Sequence, residues 1–151
     1  MTAIGAFVAT RWELAAVRQA FAASEMRVVG GIRCVVARQG QVEWWVIPMG
    51  VGPERATTTA RRVLAEQSLA AVWSTGFACA LAPAGIGEAL IGTQVTREEG
   101  SEAGRPVPCA PVFVDWVRQA VQTQRLPVQT GRFVTVPRVL CRAEEKQEIA
   151  V

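Results

Sequence analysis

No histidine occurs among the 151 residues, so Ser-His-Asp and Cys-His nucleophilic mechanisms and any histidine general base are excluded. Acid–base chemistry must fall to carboxylates or water. One carboxylate, Glu13, stands at a strand-to-helix junction, three residues after Thr10. Two other stretches have the composition of turns that a ligand can approach through the backbone. Gly50-Val51-Gly52-Pro53-Glu54 offers glycines that permit positive φ, followed by a proline suited to a first helical turn and a glutamate suited to the positive end of a helix dipole. Ser74-Thr75-Gly76-Phe77-Ala78-Cys79-Ala80 follows a short apolar run that reads as a buried strand. Four cysteines, at 34, 79, 109 and 141, fall in no C-x-x-C pattern. Without histidine they make no mixed zinc site, so no metal and no cofactor is expected.

The elements that must position these residues follow from periodicity. Ala3 to Ala9 is an apolar run of strand length, as expected for a strand covered on both faces. Thr10-Arg11-Trp12-Glu13 has the Thr-x-x-Glu form of a capping box, and Leu14, Val17 and Phe21 continue at helical spacing to a helix end near Ser24. Met26 to Arg38 and Gln41 to Met49 read as two antiparallel strands joined by a tight turn at Gln39-Gly40. A helix is expected from Pro53 to about Gln67, burying Ala56, Ala60, Val63 and Leu64. Val72 onward gives the next strand, and Glu88 to Thr96 another. Arg97 to Pro111, polar and rich in Gly and Pro, reads as a functional or mobile loop. Val112 to Gln124 returns to helical spacing through Val114, Val117 and Val121. Val128 to Val136 reads as a strand, and Cys141 to Val151 as a charged helix start. Alternating strands and helices predict an α/β layered sheet, and half the residues being hydrophobic allows one sizeable core and a single domain over 1–151.

Composition narrows the partners. Net charge is +3, with the basic residues scattered and Lys146 the only lysine, so no clustered basic face marks a nucleic-acid partner. Arg11, Arg55 and Arg97 read as solvated charges rather than phosphate ligands. Leu69 to Gly92 has the length of a bilayer span, but Pro83, Gly85 and Gly87 divide it into strand, turn and strand, so no membrane span is expected. No secretion signal is recognised at the start of the sequence, so a cytoplasmic location with reduced thiols is expected. Cys79 reads as a small buried hydrophobe.

Three motifs together resemble the purine nucleoside phosphorylase and nucleosidase family, which includes methylthioadenosine/S-adenosylhomocysteine nucleosidase, futalosine hydrolase and the hopanoid-associated phosphorylases. Ala6-Phe7-Val8-Ala9-Thr10-Arg11-Trp12-Glu13-Leu14 is similar to the family's opening strand and glutamate. Met49-Gly50-Val51-Gly52-Pro53-Glu54-Arg55-Ala56 is similar to its S/T-G-h-G-x-x-x-A turn. Ser74 to Pro83, with Gly87-Glu88-Ala89-Leu90-Ile91, is similar to its N-T-G-S-A-G-G-L followed by G-D-h-h. The resemblance implies a three-layer α/β/α fold around a central mixed sheet. It also implies a protein that cleaves the N-glycosidic bond of a purine-type nucleoside with water or phosphate.

In this family the glutamate matching Glu13 acts through the attacking water. A capping box needs that glutamate only for helix-start N–H groups, and the two roles are compatible. The resemblance further implies that Thr10, Gly50, Val51, Gly52, Gly76, Phe77, Ala78 and Cys79 bind the substrate, and that the protein is a homodimer. Phe77 departs from the nucleosidases' serine and Cys79-Ala80 from Gly-Gly, which reduces the room beside the base and keeps a bulky apolar substrate open. The family's later Met-Glu-Ser-type segment and its base-protonating aspartate have no counterpart here. The chain is therefore expected to be the domain without its C-terminal third, its uncovered sheet edge and apolar surface calling for a partner. Two alternatives stand beside the enzyme: an inactive, truncated ligand-binding or dimerising module, and an unrelated doubly wound domain taking a phosphorylated ligand at the Gly52 helix start.

Overall fold

The computed structural model describes residues 1–99 and 102–149. Two compact units make up the chain, Met1–Phe77 and Ala78–Val151. The first unit holds β1 (Thr2–Val8), α1 (Arg11–Gln19), β2 (Ser24–Val29), β3 (Ile32–Gln39), β4 (Val42–Pro48), α2 (Pro53–Glu66) and β5 (Ala71–Ser74). Its five strands form one mixed sheet in the order β2-β3-β4-β1-β5. The β2–β3 and β3–β4 pairs are antiparallel, and β1 runs parallel to both β4 and β5.

The apolar run of β1 is explained by its place between two parallel neighbours, with both faces covered. On one face Phe7, Val29, Cys34, Val36, Trp45 and Ile47 pack against Val63 of α2. On the other Val8, Val35 and Val46 pack against Leu14, Val17 and Phe21 at α1. The first unit is thus a three-layer α/β/α arrangement, each helix presenting one apolar stripe to one face of the sheet.

Several local expectations change. The run from Met26 to Arg38 is two strands, because Gly30 (φ 57) and Gly31 (φ 73) form a tight turn between β2 and β3. Successive positive φ values are what a two-residue hairpin of this kind requires, and glycine supplies them without steric cost. The Gly30 N–H donates to Glu66 Oε2 at 2.7 Å, tying the turn to the end of α2. Helix α1 stops at Gln19 rather than near Ser24, since Ala20 closes it and Phe21 turns toward Trp44, with ring centroids 6.2 Å apart. On α2, Thr59 is buried with Val63, while Leu64 is exposed.

Among the described residues one buried glutamate lies away from the helices, Glu43, held by the β2–β4 strands. It accepts from the Trp45 indole at 2.9 Å and from Arg38 at 3.3 Å, with Arg27 at 3.6 Å. Its charge is thereby paired and hydrogen-bonded, which a buried carboxylate requires.

The second unit contains β6 (Ala89–Glu99), β7 (Glu102–Ala103), β8 (Val107–Pro108), α3 (Pro111–Thr123), β9 (Val128–Thr135) and α4 (Ala143–Ile149). β6 pairs antiparallel with β7 and β8 and parallel with β9. The stretch from Arg97 to Pro111, expected as a loop, instead extends β6 and contributes two short strands. Residues 100 and 101 of that stretch, and 150 and 151 of the C-terminal helix start, lie outside the described residues. Val114, Val117 and Val121 form the half-buried face of α3, as their spacing predicts. Among the described residues no helix is long and apolar enough to cross a membrane.

Candidate functional site

The parallel strands β4, β1 and β5 end side by side. Val8 lies opposite Pro48, and Phe7 opposite Ser74. Pairing continues one step past the strands, with the Met49 N–H donating to the Val8 carbonyl at 2.8 Å and the Thr75 N–H to the Phe7 carbonyl at 3.0 Å. Thr10, Gly50 and Gly76 therefore leave the sheet from the same edge. In open α/β sheets the carboxyl ends of parallel strands are where ligands bind.

Glu13 is the carboxylate at this edge, 6 % exposed. The Thr10–Glu13 capping box is complete: the Glu13 N–H donates to Thr10 Oγ1 at 3.2 Å, and Glu13 Oε2 accepts the Thr10 N–H at 2.7 Å. Oε2 also accepts the Ala9 N–H at 2.8 Å. Oε1 takes a donor from elsewhere in the unit, the Phe77 N–H, at 2.8 Å. An ionised carboxylate has about four acceptor directions. Among the described residues three are occupied, so one remains, on Oε1.

Electrostatically the site favours the anion. Burial acts to raise the Glu13 pKa, but the hydrogen bonds from Phe77, Thr10 and Ala9 together outweigh it and hold the carboxyl below its ordinary value. A carboxylate of this kind stays charged at neutral pH and is a weak proton acceptor. It can orient a donor or stabilise a neighbouring cation, roles that do not require it to take a proton.

Gly76 lies against this carboxylate. A Cβ built on it would stand 2.5 Å from Glu13 Cδ, a distance at which something must shift. Gly50 (φ 77) and Gly52 (φ 100) have the positive φ expected of them. Gly52 is the N-cap of α2, with Pro53 in the first turn and no side-chain cap. Pro48, Met49, Gly50, Glu54, Arg55, Thr58 and Thr59 line a shallow open groove there. Val51 is exposed, and Arg11 lies 4.6 Å over the Trp12 ring.

Phe77 is 81 % exposed, its backbone tied to Glu13 and its ring in solvent. β5, expected as a buried strand, is an edge of the sheet with Val72 exposed. Ala78 and Cys79 open the second unit, and both are exposed. The expectation of Cys79 as a buried hydrophobe is corrected accordingly: its thiol lies 3.8 Å from the Ala80 carbonyl, in a segment that contributes nothing to a core. Nothing in the local spacing announces the Phe77 N–H as a partner of Glu13. The two are 64 residues apart, and only the parallel pairing of β1 with β5 brings them together. Among the described residues no group of three or more His, Cys, Asp or Glu could hold a metal ion.

The fold has close counterparts among solved structures. A futalosine hydrolase mutant from Helicobacter pylori superposes with a TM-score of 0.85 at 15 % identity, covering 99 % of this chain and 75 % of that one. A putative 5'-methylthioadenosine/S-adenosylhomocysteine nucleosidase from Francisella philomiragia gives 0.87 at 18 % identity, covering 99 % and 71 %. The corresponding nucleosidase from Neisseria meningitidis, in complex with methylthio-immucillin-A, gives 0.86 at 16 % identity, again covering 99 % and 71 %. No curated protein matches the chain. The family model of the Phosphorylase superfamily matches residues 3–150, and the chain belongs to that superfamily.

Proposed function

We propose that this protein cleaves the N-glycosidic bond of a purine-type nucleoside, with Glu13 as the catalytic carboxylate. The observation that carries the reading is the fixed, ionised Glu13 at the carboxyl edge of three parallel strands, with a single acceptor direction open on Oε1. Superfamily membership supports the reaction class; the superfamily's name points to phosphorolysis and the names of the solved neighbours, nucleosidases and a futalosine hydrolase, to hydrolysis, so both acceptors stay in the reading.

In this reading one water donates a hydrogen bond to Oε1 and attacks C1′ as the bond to the base breaks. Positive charge that develops on the ribose is stabilised by the nearby anion, and the base leaves with the bonding pair and takes up, overall, the proton that the water gives up. Phosphate takes the water's place if the protein is a phosphorylase. Thr10, the Gly50-Val51-Gly52 turn, Phe77, Ala78 and Cys79 bind the nucleoside, and Gly76 lies against the Glu13 carboxylate. Residues 1–151 belong to one nucleoside phosphorylase-like domain acting as a homodimer in the cytoplasm.

A second reading has its own support. Three backbone donors on Glu13 complete a helix cap and tie the turn after β5 to the start of α1, a task that needs no chemistry. On that reading the chain is a non-catalytic module that binds ligand or dimerises. The test is release of free base from methylthioadenosine, adenosine and futalosine by pure folded protein, with and without phosphate. Turnover of any of them supports the enzyme, and the need for phosphate decides between phosphorolysis and hydrolysis. No turnover with retained nucleoside binding supports the module.

A further inference from the structure

We infer that Gly76 is a positioning residue for the Glu13 carboxylate, and that its missing Cβ is the space in which that carboxylate works. This rests on the reading of Glu13 as the working group, and it reassigns Gly76 from a substrate contact to a residue that acts through its neighbour.

Two explanations compete for a glycine in a turn: a backbone conformation that other residues avoid, or a neighbour that leaves no room. The first does not apply to Gly76. Its φ is not positive, unlike those of Gly30, Gly31, Gly40, Gly50, Gly52 and Gly87. The second does. Among the atoms a Gly76 Cβ would meet, the three nearest all belong to the Glu13 carboxylate group, with Cδ at 2.5 Å and Oε2 at 3.2 Å. Glu13 cannot move aside at low cost. Its Oε2 is held by Ala9 and Thr10 through N–H bonds of 2.8 and 2.7 Å, and its Oε1 by Phe77 at 2.8 Å.

The consequence is directional. A side chain at position 76 pushes on Oε1, the oxygen with the open acceptor direction, and against the Phe77 N–H that fixes it. Oε2, bonded on the far side by the helix start, is the more distant of the carboxylate atoms, 3.2 Å from that Cβ. Gly76 therefore sets the position of the reactive oxygen without touching substrate.

The experiment is Gly76→Ala, read in two ways. Carboxyl titration by NMR in protein carrying carbon-13-labelled glutamate side chains follows Glu13 directly. The Glu13 midpoint is expected to rise by about one pH unit, the effect of weakening one hydrogen bond to a charged group. Phe77→Ala keeps the backbone N–H and leaves the midpoint in place. In the base-release assay kcat falls about 100-fold while KM stays within about threefold, as for a misplaced reacting group. If Gly76→Ala does not fold, Glu13→Ala/Gly76→Ala decides, because removing the carboxylate restores the room and the double variant folds as stably as Glu13→Ala.

An unmoved Glu13 midpoint with unchanged kcat overturns the inference. So does a double variant as disrupted as Gly76→Ala alone. Absence of turnover in the unsubstituted protein would sink the nucleosidase reading instead, and the titration would still decide whether Gly76 positions Glu13.

Discussion

The Phe77 N–H donates to Glu13 Oε1 at 2.8 Å across 64 residues of chain. That bond makes Glu13 more than a helix cap: it joins the end of β1, the start of α1 and the turn after β5 in one carboxylate. Stability and the candidate chemistry therefore meet in one side chain, and their pH dependence can be worked out together.

Glu13 has a lowered pKa in the folded state, since hydrogen bonds outweigh burial. A depressed carboxyl contributes stability that is present above its unfolded pKa and is lost as pH falls through the folded value. Acid unfolding followed by circular dichroism is expected to show this loss below the ordinary carboxyl range. Glu13→Ala removes that part of the pH dependence and costs about 2 kcal/mol at neutral pH, because three N–H donors lose their acceptor. An unchanged acid limb in the variant would assign the loss to other groups.

Gly30 and Gly31 have similar φ values, 57 and 73, but different surroundings. A Cβ on Gly30 would stand 2.6 Å from the Arg62 carbonyl oxygen, while one on Gly31 meets nothing within 4 Å. Gly31→Ala is expected to cost about 1 kcal/mol, the strain of a left-handed alanine. Gly30→Ala carries the same strain plus displacement of α2, about 3 kcal/mol in all. Urea denaturation of the two variants checks the difference; equal costs would mean that the turn does not dock on α2.

Glu43 is 7 % exposed and faces Arg27, Arg38 and the Trp45 indole. Both arginines retain access to water, so losing their partner leaves no fully buried cation. The indole N–H is left without its acceptor. Glu43→Ala is expected to cost about 2 kcal/mol in chemical denaturation, and Glu43→Gln less, since an amide oxygen still accepts from the indole.

These elements also mark how far local pattern reaches. The Thr10–Glu13 box, the Gly52-Pro53 helix start and the Val114-Val117-Val121 face depend on neighbours within one or two turns, and spacing alone identifies them. The Gly30-Gly31 turn is hidden because β-forming residues stand on both sides of it, so the run reads as one strand although the glycine pair is itself a hairpin signal. Leu64 fits the apolar spacing of α2, yet the helix is rotated to bury Thr59 instead, and hydrophobicity alone does not fix that rotation. The Glu13–Gly76–Phe77 relationship needs strand order and register, which no local window contains.

The thiols offer a check on burial. Cys34 is fully buried, its pKa pushed up to about 11 by desolvation, whereas Cys79 and Cys141 are exposed. A thiol reagent at pH 8 is expected to modify Cys79 and Cys141 in the folded protein and Cys34 only after denaturation, because the thiolate is the reacting form. Peptide mapping by mass spectrometry locates the label. Early modification of Cys34 would contradict the packing of β3 between α1 and α2.

The most direct measurement is turnover by Glu13→Gln, with folding checked by denaturation and nucleoside binding by calorimetry. Glutamine keeps one acceptor for the backbone donors but removes the charge. Base release is expected to fall about 100-fold while binding persists, the loss that follows when a preorganised anion beside the reacting carbon is neutralised. Turnover and binding both equal to those of the unsubstituted protein would make Glu13 a cap alone and would contradict the assignment of the catalytic carboxylate.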